Sequence, residues 1–192
     1  MTGVSRKAVV IGASAGAVQA LQTILPALAA DYGLPVLVVV HVPPDRANIL
    51  APLLQASCEI AVKEAEDKEV LAPGAVYLAP SNYHLLVETD ESLALSKDEP
   101  VNHSRPSIDV LFQSAADTYG PGLVGVVLTG ANHDGAAGLR AIVDAGGLAV
   151  VEDPASAYAA AMPLAALEAC PSARIMTLDA IAAYLSTLGA TR

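Results

Sequence analysis

"VVIGASAGAVQAL", residues 9–21, decides the fold. An apolar run, a glycine-rich turn holding one serine, and apolar residues at helical spacing describe a buried strand feeding a helix. The strand is expected over Ala8–Ile11 and the helix over Ala17–Ala30, where Val18, Leu21, Ile24, Leu25 and Leu28 share a face. "LPVLVVVH" (34–41) reads as a second strand, and "PPDRANILAPLLQASC" (43–58) as another helical face. This strand–helix–strand order predicts a right-handed parallel crossover.

Residues 70–100 change character, with prolines, turn residues and short alternating runs that predict antiparallel hairpins at one edge. From Pro106 the parallel pattern resumes with a helix, the strand "LVGVVLTG", the helix "GAAGLRAIVDAGG" and the strand "LAVVED". An Ala-rich segment, the short strand "ARIMTL" and a closing helix complete it. The expected fold class is α/β: a doubly wound, mainly parallel sheet flanked by helices, with an antiparallel edge hairpin, in one domain over residues 1–192.

Composition agrees. Of 192 residues 54% are apolar, with no Trp and one Phe, so Val, Leu, Ile and Ala must build the core, as in a buried parallel sheet. The net charge of −10, without a Lys/Arg run, argues against nucleic acid as a partner. Cys58 and Cys170 are too few and too far apart for a disulfide framework or a zinc ribbon, and are expected in the core. No apolar stretch is long enough for membrane insertion and no secretory leader is recognisable, so the cytoplasm is the expected compartment.

In open parallel sheets, sites form beyond the carboxyl ends of the strands. Ser14 follows "AVVIGA", His41 ends "PVLVVV", and Asp134 lies in "LTGANHDG". A serine needs a base to take its proton, and the base works best when a carboxylate holds its tautomer and stabilises its cation. These residues supply those groups, and the Ala15 N–H at a helix start suits an oxyanion. Singly, each has a plainer reading: Ser14 as a cap or phosphate contact, His41 as a satisfied buried histidine, Asp134 as a helix cap.

Rival motifs fail on context. "GASAG" fits G-x-S-x-G, but in α/β-hydrolases the acid precedes the histidine and the elbow lies well inside the chain. A dinucleotide site wants a ribose contact where His41 stands, and Tyr158 is followed four residues later by Met162 instead of the lysine of short-chain dehydrogenases. His41, His84, His103 and His133 show no metal-ligand spacing; His84 and His133 are expected to be structural or to support the site.

Seven blocks in order, from "VVIGASAGAVQALQTILPAL" through "PVLVVVHVPP", "LAPGAVYLAPSNYHLLVE", "RPSIDVLFQSAA", "GVVLTGANHDGAAGLRAIVDAGG" and "VVEDPASA" to "AMPLAAL", resemble the catalytic domain of the CheB-type chemotaxis protein-glutamate methylesterases. The resemblance implies hydrolysis of glutamate γ-methyl esters on chemoreceptor cytoplasmic helices, deamidation of certain receptor glutamines, and no metal or organic cofactor. It puts the nucleophile on Ser14, the base on His41, the acid on Asp134 and backbone oxyanion donors at Ala15 and Ala131.

The chain departs from the family pattern at Ala15, Ala17, Ala131 and Asn132, where Thr, Gly, Met and Gly are usual. Those alanines motivate an alternative, a non-catalytic signalling domain on the same fold. Arg105 is a candidate substrate contact, with a structural ion pair as its rival. Many members carry an N-terminal receiver domain, and this chain is expected to be a stand-alone catalytic form. The expected partner is a methylated chemoreceptor or related signalling protein, and the expected state a monomer.

Overall fold

The computed structural model describes residues 7–41 and 49–190. β1 (Ala8–Ala13) is buried along its whole length, as an apolar run without alternation requires of a strand covered on both faces. It leads into α1 (Ala17–Ile24), which stops six residues before the expected end. Pro26 has no N–H to continue the α ladder, and Leu25–Ala27 tighten into a 3₁₀ turn. β2 (Val36–Val40) follows, then α2 (Leu50–Gln55); residues 42–48 of the expected helical face lie outside the described residues.

β3 (Ala61–Glu64) and β4 (Ala75–Leu78) come next, then β5 (His84–Val87) and β6 (Leu93–Ser96). The remaining elements are α3 (Ile108–Tyr119), β7 (Leu123–Val127), α4 (Ala136–Asp144), β8 (Leu148–Glu152), α5 (Ala161–Ala169), β9 (Arg174–Met176) and α6 (Leu178–Leu188).

Seven strands form one parallel sheet in the order β3-β4-β2-β1-β7-β8-β9. The expectation of hairpins throughout residues 70–100 needs correction in its first part. β4 pairs parallel with β2 and β3, and its Val76, Tyr77 and Leu78 are buried, so its apolar run belongs inside the sheet and the flanking prolines only bound it. The second part holds: β5 and β6 pair antiparallel as a sheet of their own, which packs on α3.

Alternate residues of the central strands point to opposite faces. Val9, Ile11, Val36 and Val38 meet Leu21, Ile24, Leu54, Ile181 and Leu185 of α1, α2 and α6. Val10, Leu37 and Val39 meet Ile108, Leu111, Phe112, Leu139, Ile142 and Met162 of α3, α4 and α5. Among the described residues no helix is long and apolar enough to cross a membrane.

Candidate active site

From β1 the chain runs outward through β2, then returns to place β7 on the other side of β1. That reversal opens a crevice at the carboxyl ends of these strands. Parallel register sets Ala13 opposite Val40, so Ser14 and His41 leave the sheet side by side, and the His41 N–H donates to Ala13 O at 3.2 Å. Both line a cavity of about 350 Å³ whose wall includes Val18, Ile49, Leu50 and Leu53. No hydrogen bond joins Ser14 Oγ to His41 here, a contact that catalytic pairs often close only around substrate.

Asp134 lies in the loop between β7 and α4 and is fully buried. Its Oδ2 accepts from His41 Nε2 at 2.8 Å and from the Ile108 N–H at 2.6 Å. Its Oδ1 accepts from Asn102 Nδ2 and Ser107 Oγ, each at 2.8 Å, and from the Asp109 N–H at 3.2 Å. The carboxylate therefore sits on the first N–H groups of α3, where the helix dipole favours negative charge. Burial alone pushes its carboxyl up, but bonds from His41, Asn102, Ile108 and Ser107 outweigh that and hold it at about 2.

An ionised Asp134 can only accept, so the proton lies on His41 Nε2 and Nδ1 carries the lone pair. The amide of Asn132 agrees: its Oδ1 accepts the Asp134 N–H at 3.1 Å, which turns its Nδ2 toward His41 Nδ1 at 3.4 Å. The nitrogen free to act as a base is thus Nδ1, the reverse of the serine-protease arrangement.

α4 is treated like α3. Asp109, in the first turn of α3, sends Oδ1 to the N–H groups of Gly135 and Gly138 at 3.0 and 2.6 Å, and its Oδ2 accepts from Asn102 Nδ2 at 2.7 Å. Gly135 has φ +96°, a left-handed turn that lets the chain pass from Asp134 straight into α4. Desolvation and the neighbouring Asp134 charge raise the Asp109 carboxyl against its own hydrogen bonds.

Thr129, almost fully buried, laces three loops together. Its hydroxyl donates to Ala15 O and accepts from the Ala159 N–H, each at 2.8 Å, while its carbonyl accepts the Ser14 N–H at 2.9 Å. The loops bearing Ala15 and Ala131 are thereby neighbours. Among the described residues neither the Ala15 nor the Ala131 N–H has an acceptor in the protein. Gly16, at φ +85°, starts α1 beneath Tyr158; a Cβ there would lie 2.7 Å from that of Tyr158.

Arg105 points elsewhere. Its guanidinium donates to Asn82 Oδ1 at 3.1 and 2.7 Å and to the carbonyls of Lys97 and Asp98 at 2.9 and 3.0 Å, tying the β5–β6 region to the segment before α3. His84 is buried and structural, accepting the Ser107 N–H at Nδ1 and bonding Glu99 O through Nε2. Among the described residues no group of three or more His, Cys, Asp or Glu could hold a metal ion. Asn102, Ser107 and Asp109 escape the strand-end search because none follows an apolar run, and Asn132, which does share the stretch of Asp134, carries an amide that the search for a nucleophile, base and acid passes over. Ser107 and Asp109 do leave a trace, as an N-cap serine and a first-turn acid.

The family profile described as CheB methylesterase matches residues 9–185. The chain belongs to the CheB methylesterase family. A relative from Leptospira interrogans is 48% identical over 176 residues, covering 92% of this chain and 91% of its own length. An Archaeoglobus fulgidus protein named protein-glutamate methylesterase/protein-glutamine glutaminase is 42% identical over 163 residues, 83% of this chain and 47% of that one. The crystal structure of the Thermotoga maritima CheB methylesterase catalytic domain superposes with a TM-score of 0.91 at 34% identity, over 96% of this chain and all of that one. The CheB fold thus extends over the doubly wound sheet and the separate hairpin described above.

Proposed function

We propose that this CheB-family protein is a protein-glutamate methylesterase acting through Ser14, His41 and Asp134, with methylated chemoreceptors as its substrates and receptor glutamines as a second class. The observation that carries the reading is the 2.8 Å bond from His41 to a fully buried, hydrogen-bonded Asp134, beside Ser14 in one cavity.

Ser14 Oγ attacks the ester carbonyl as His41 Nδ1 takes its proton. Asp134 keeps the ring oriented through Nε2 and stabilises the imidazolium. The N–H groups of Ala15 and Ala131 receive the oxyanion; as main-chain donors they are indifferent to the alanine side chains. The C–OCH₃ bond breaks, and methanol leaves with the proton from Nδ1. Water, deprotonated by Nδ1, then attacks the acyl-serine, releasing glutamate and restoring the Ser14 hydroxyl. For a glutamine side chain, ammonia leaves in place of methanol.

We read Arg105 as a tether and not a substrate contact, because its donors are engaged within the protein. The domain is read as a single unit over residues 1–192, acting as a monomer in the cytoplasm.

Methanol release from a methylated chemoreceptor cytoplasmic fragment tests the reading. Ser14→Ala should lower it by at least about a thousandfold with the fold unchanged. Near-normal turnover in that variant would reject Ser14 as nucleophile. If the native protein releases no methanol and Ser14 resists an active-site serine probe, the non-catalytic reading takes its place.

A further inference from the structure

Between the buried carboxylates of Asp134 and Asp109 lies one amide. Asn102 Nδ2 donates to Asp134 Oδ1 at 2.8 Å and to Asp109 Oδ2 at 2.7 Å. Like charges brought this close repel, and each raises the other's affinity for a proton. An amide nitrogen carries two hydrogens and can satisfy both carboxylates at once, whereas the flipped amide would set its oxygen against them.

Neither carboxylate can turn away. Asp109 Oδ1 is held by the Gly135 and Gly138 N–H groups, and Asp134 by those of Ile108 and Asp109. Asn102 is itself fixed by a tight turn. Val101 and Ser104 exchange backbone bonds of 3.1 and 2.9 Å around Asn102 and His103, whose φ values of 51° and 61° are both left-handed. Such two-residue turns favour asparagine, and this one aims its side chain at the carboxylates.

We propose that Asn102 is a positioning residue for the hydrolysis, keeping Asp134 fixed beside His41 by standing between it and Asp109. The inference rests on the triad reading above. Without the amide, Asp134 Oδ1 loses a donor and the unbridged repulsion from Asp109 draws the carboxylate out of line with the His41 Nε2–H, so that it orients the ring and stabilises the imidazolium less well. The titratable groups around Asp134 are His41, Asp109 and, behind Ser107, His84.

The test pairs two variants of the full chain. Asn102→Gly deletes the donors while glycine accepts the positive φ, so the turn survives. Asn102→Asp keeps the shape but sets a third carboxylate between the other two. Carbon-13 NMR of the aspartate carboxyls, without substrate, should show the Asp134–Asp109 titration moving up by about one pH unit or more in each variant. Methanol release should lose about tenfold to a hundredfold in kcat with KM within about twofold.

Carboxyl titrations that superimpose on the native ones in a folded variant would overturn the proposal, and so would shifted titrations with native kcat. If the native protein releases no methanol and Ser14 resists the serine probe, the triad reading fails, and the positioning role for hydrolysis fails with it. Shifted titrations would then show that Asn102 controls the carboxylates all the same, separating that outcome from a failure of Asn102 itself.

Discussion

Among the helices that begin around the site, α1, α3 and α4 have first turns that are furnished differently. The N-termini of α3 and α4 each receive a buried carboxylate, and the helices exchange them: Asp134, just before α4, sits on α3, and Asp109, inside α3, sits on α4. α1 receives none. It starts at Gly16 with no side-chain cap and no acid in its first turn, and no described residue accepts from the Ala15 N–H before it. The two filled N-termini build a rigid seat for the acid, and in the mechanism proposed above the α1 terminus takes the negative charge that appears during hydrolysis.

The sharpest way to break this contrast is to neutralise the seated charge. Asp134→Asn should lower methanol release by about 10⁴-fold, because an amide no longer fixes the Nε2–H tautomer of His41. The same kinetic assay checks it, with circular dichroism as the control for fold. Emptying the other filled terminus should act on stability instead. Asp109→Ala strands the Gly135 and Gly138 N–H groups and is expected to cost about 3 kcal/mol in urea unfolding.

Acid should separate the two carboxylates. Asp134 is held below its unfolded value, so the stability it adds is present above about pH 4 and is lost as pH falls toward 2, roughly 2 kcal/mol in all. Asp109 and Glu152 are raised, so each opposes folding when ionised and the penalty lifts as pH falls through its folded value. Unfolding free energies between pH 5 and 2 should therefore fall less steeply in Asp134→Asn than in the native chain.

At the open terminus, Gly16→Ala forces a side chain into the left-handed region beneath Tyr158 and should cost about 1–2 kcal/mol. The smallest effect is expected for Arg105→Ala: a thermal midpoint lower by about 2–4 °C, with KM unchanged. A KM raised tenfold or more would return Arg105 to the substrate site.

Ser14, His41 and Asp134 were legible in the sequence because each stands just beyond an apolar run, and parallel strands bring such ends together. The layers of helices were legible for the same reason, since helical and strand periods differ. β4 was hidden because its four residues lie between prolines and turn formers, and only pairing with β2 and β3 makes them a strand. Asn102 and Asp109 were hidden more deeply. "VNHSRPSID" reads locally as a turn and a helix start, and its meaning depends on α3 and α4 packing closely enough to trade carboxylates.

The Thr129 hydroxyl, a donor to one loop and an acceptor from another, has an evolutionary corollary. With main-chain oxyanion donors, as proposed above, divergence at positions 15, 17 and 131 leaves the chemistry's parts in place. The latitude ends at position 129. Valine would match the shape and unpick both bonds, whereas serine would keep them, so this fold tolerates change in the loops more readily than at the atom that joins them.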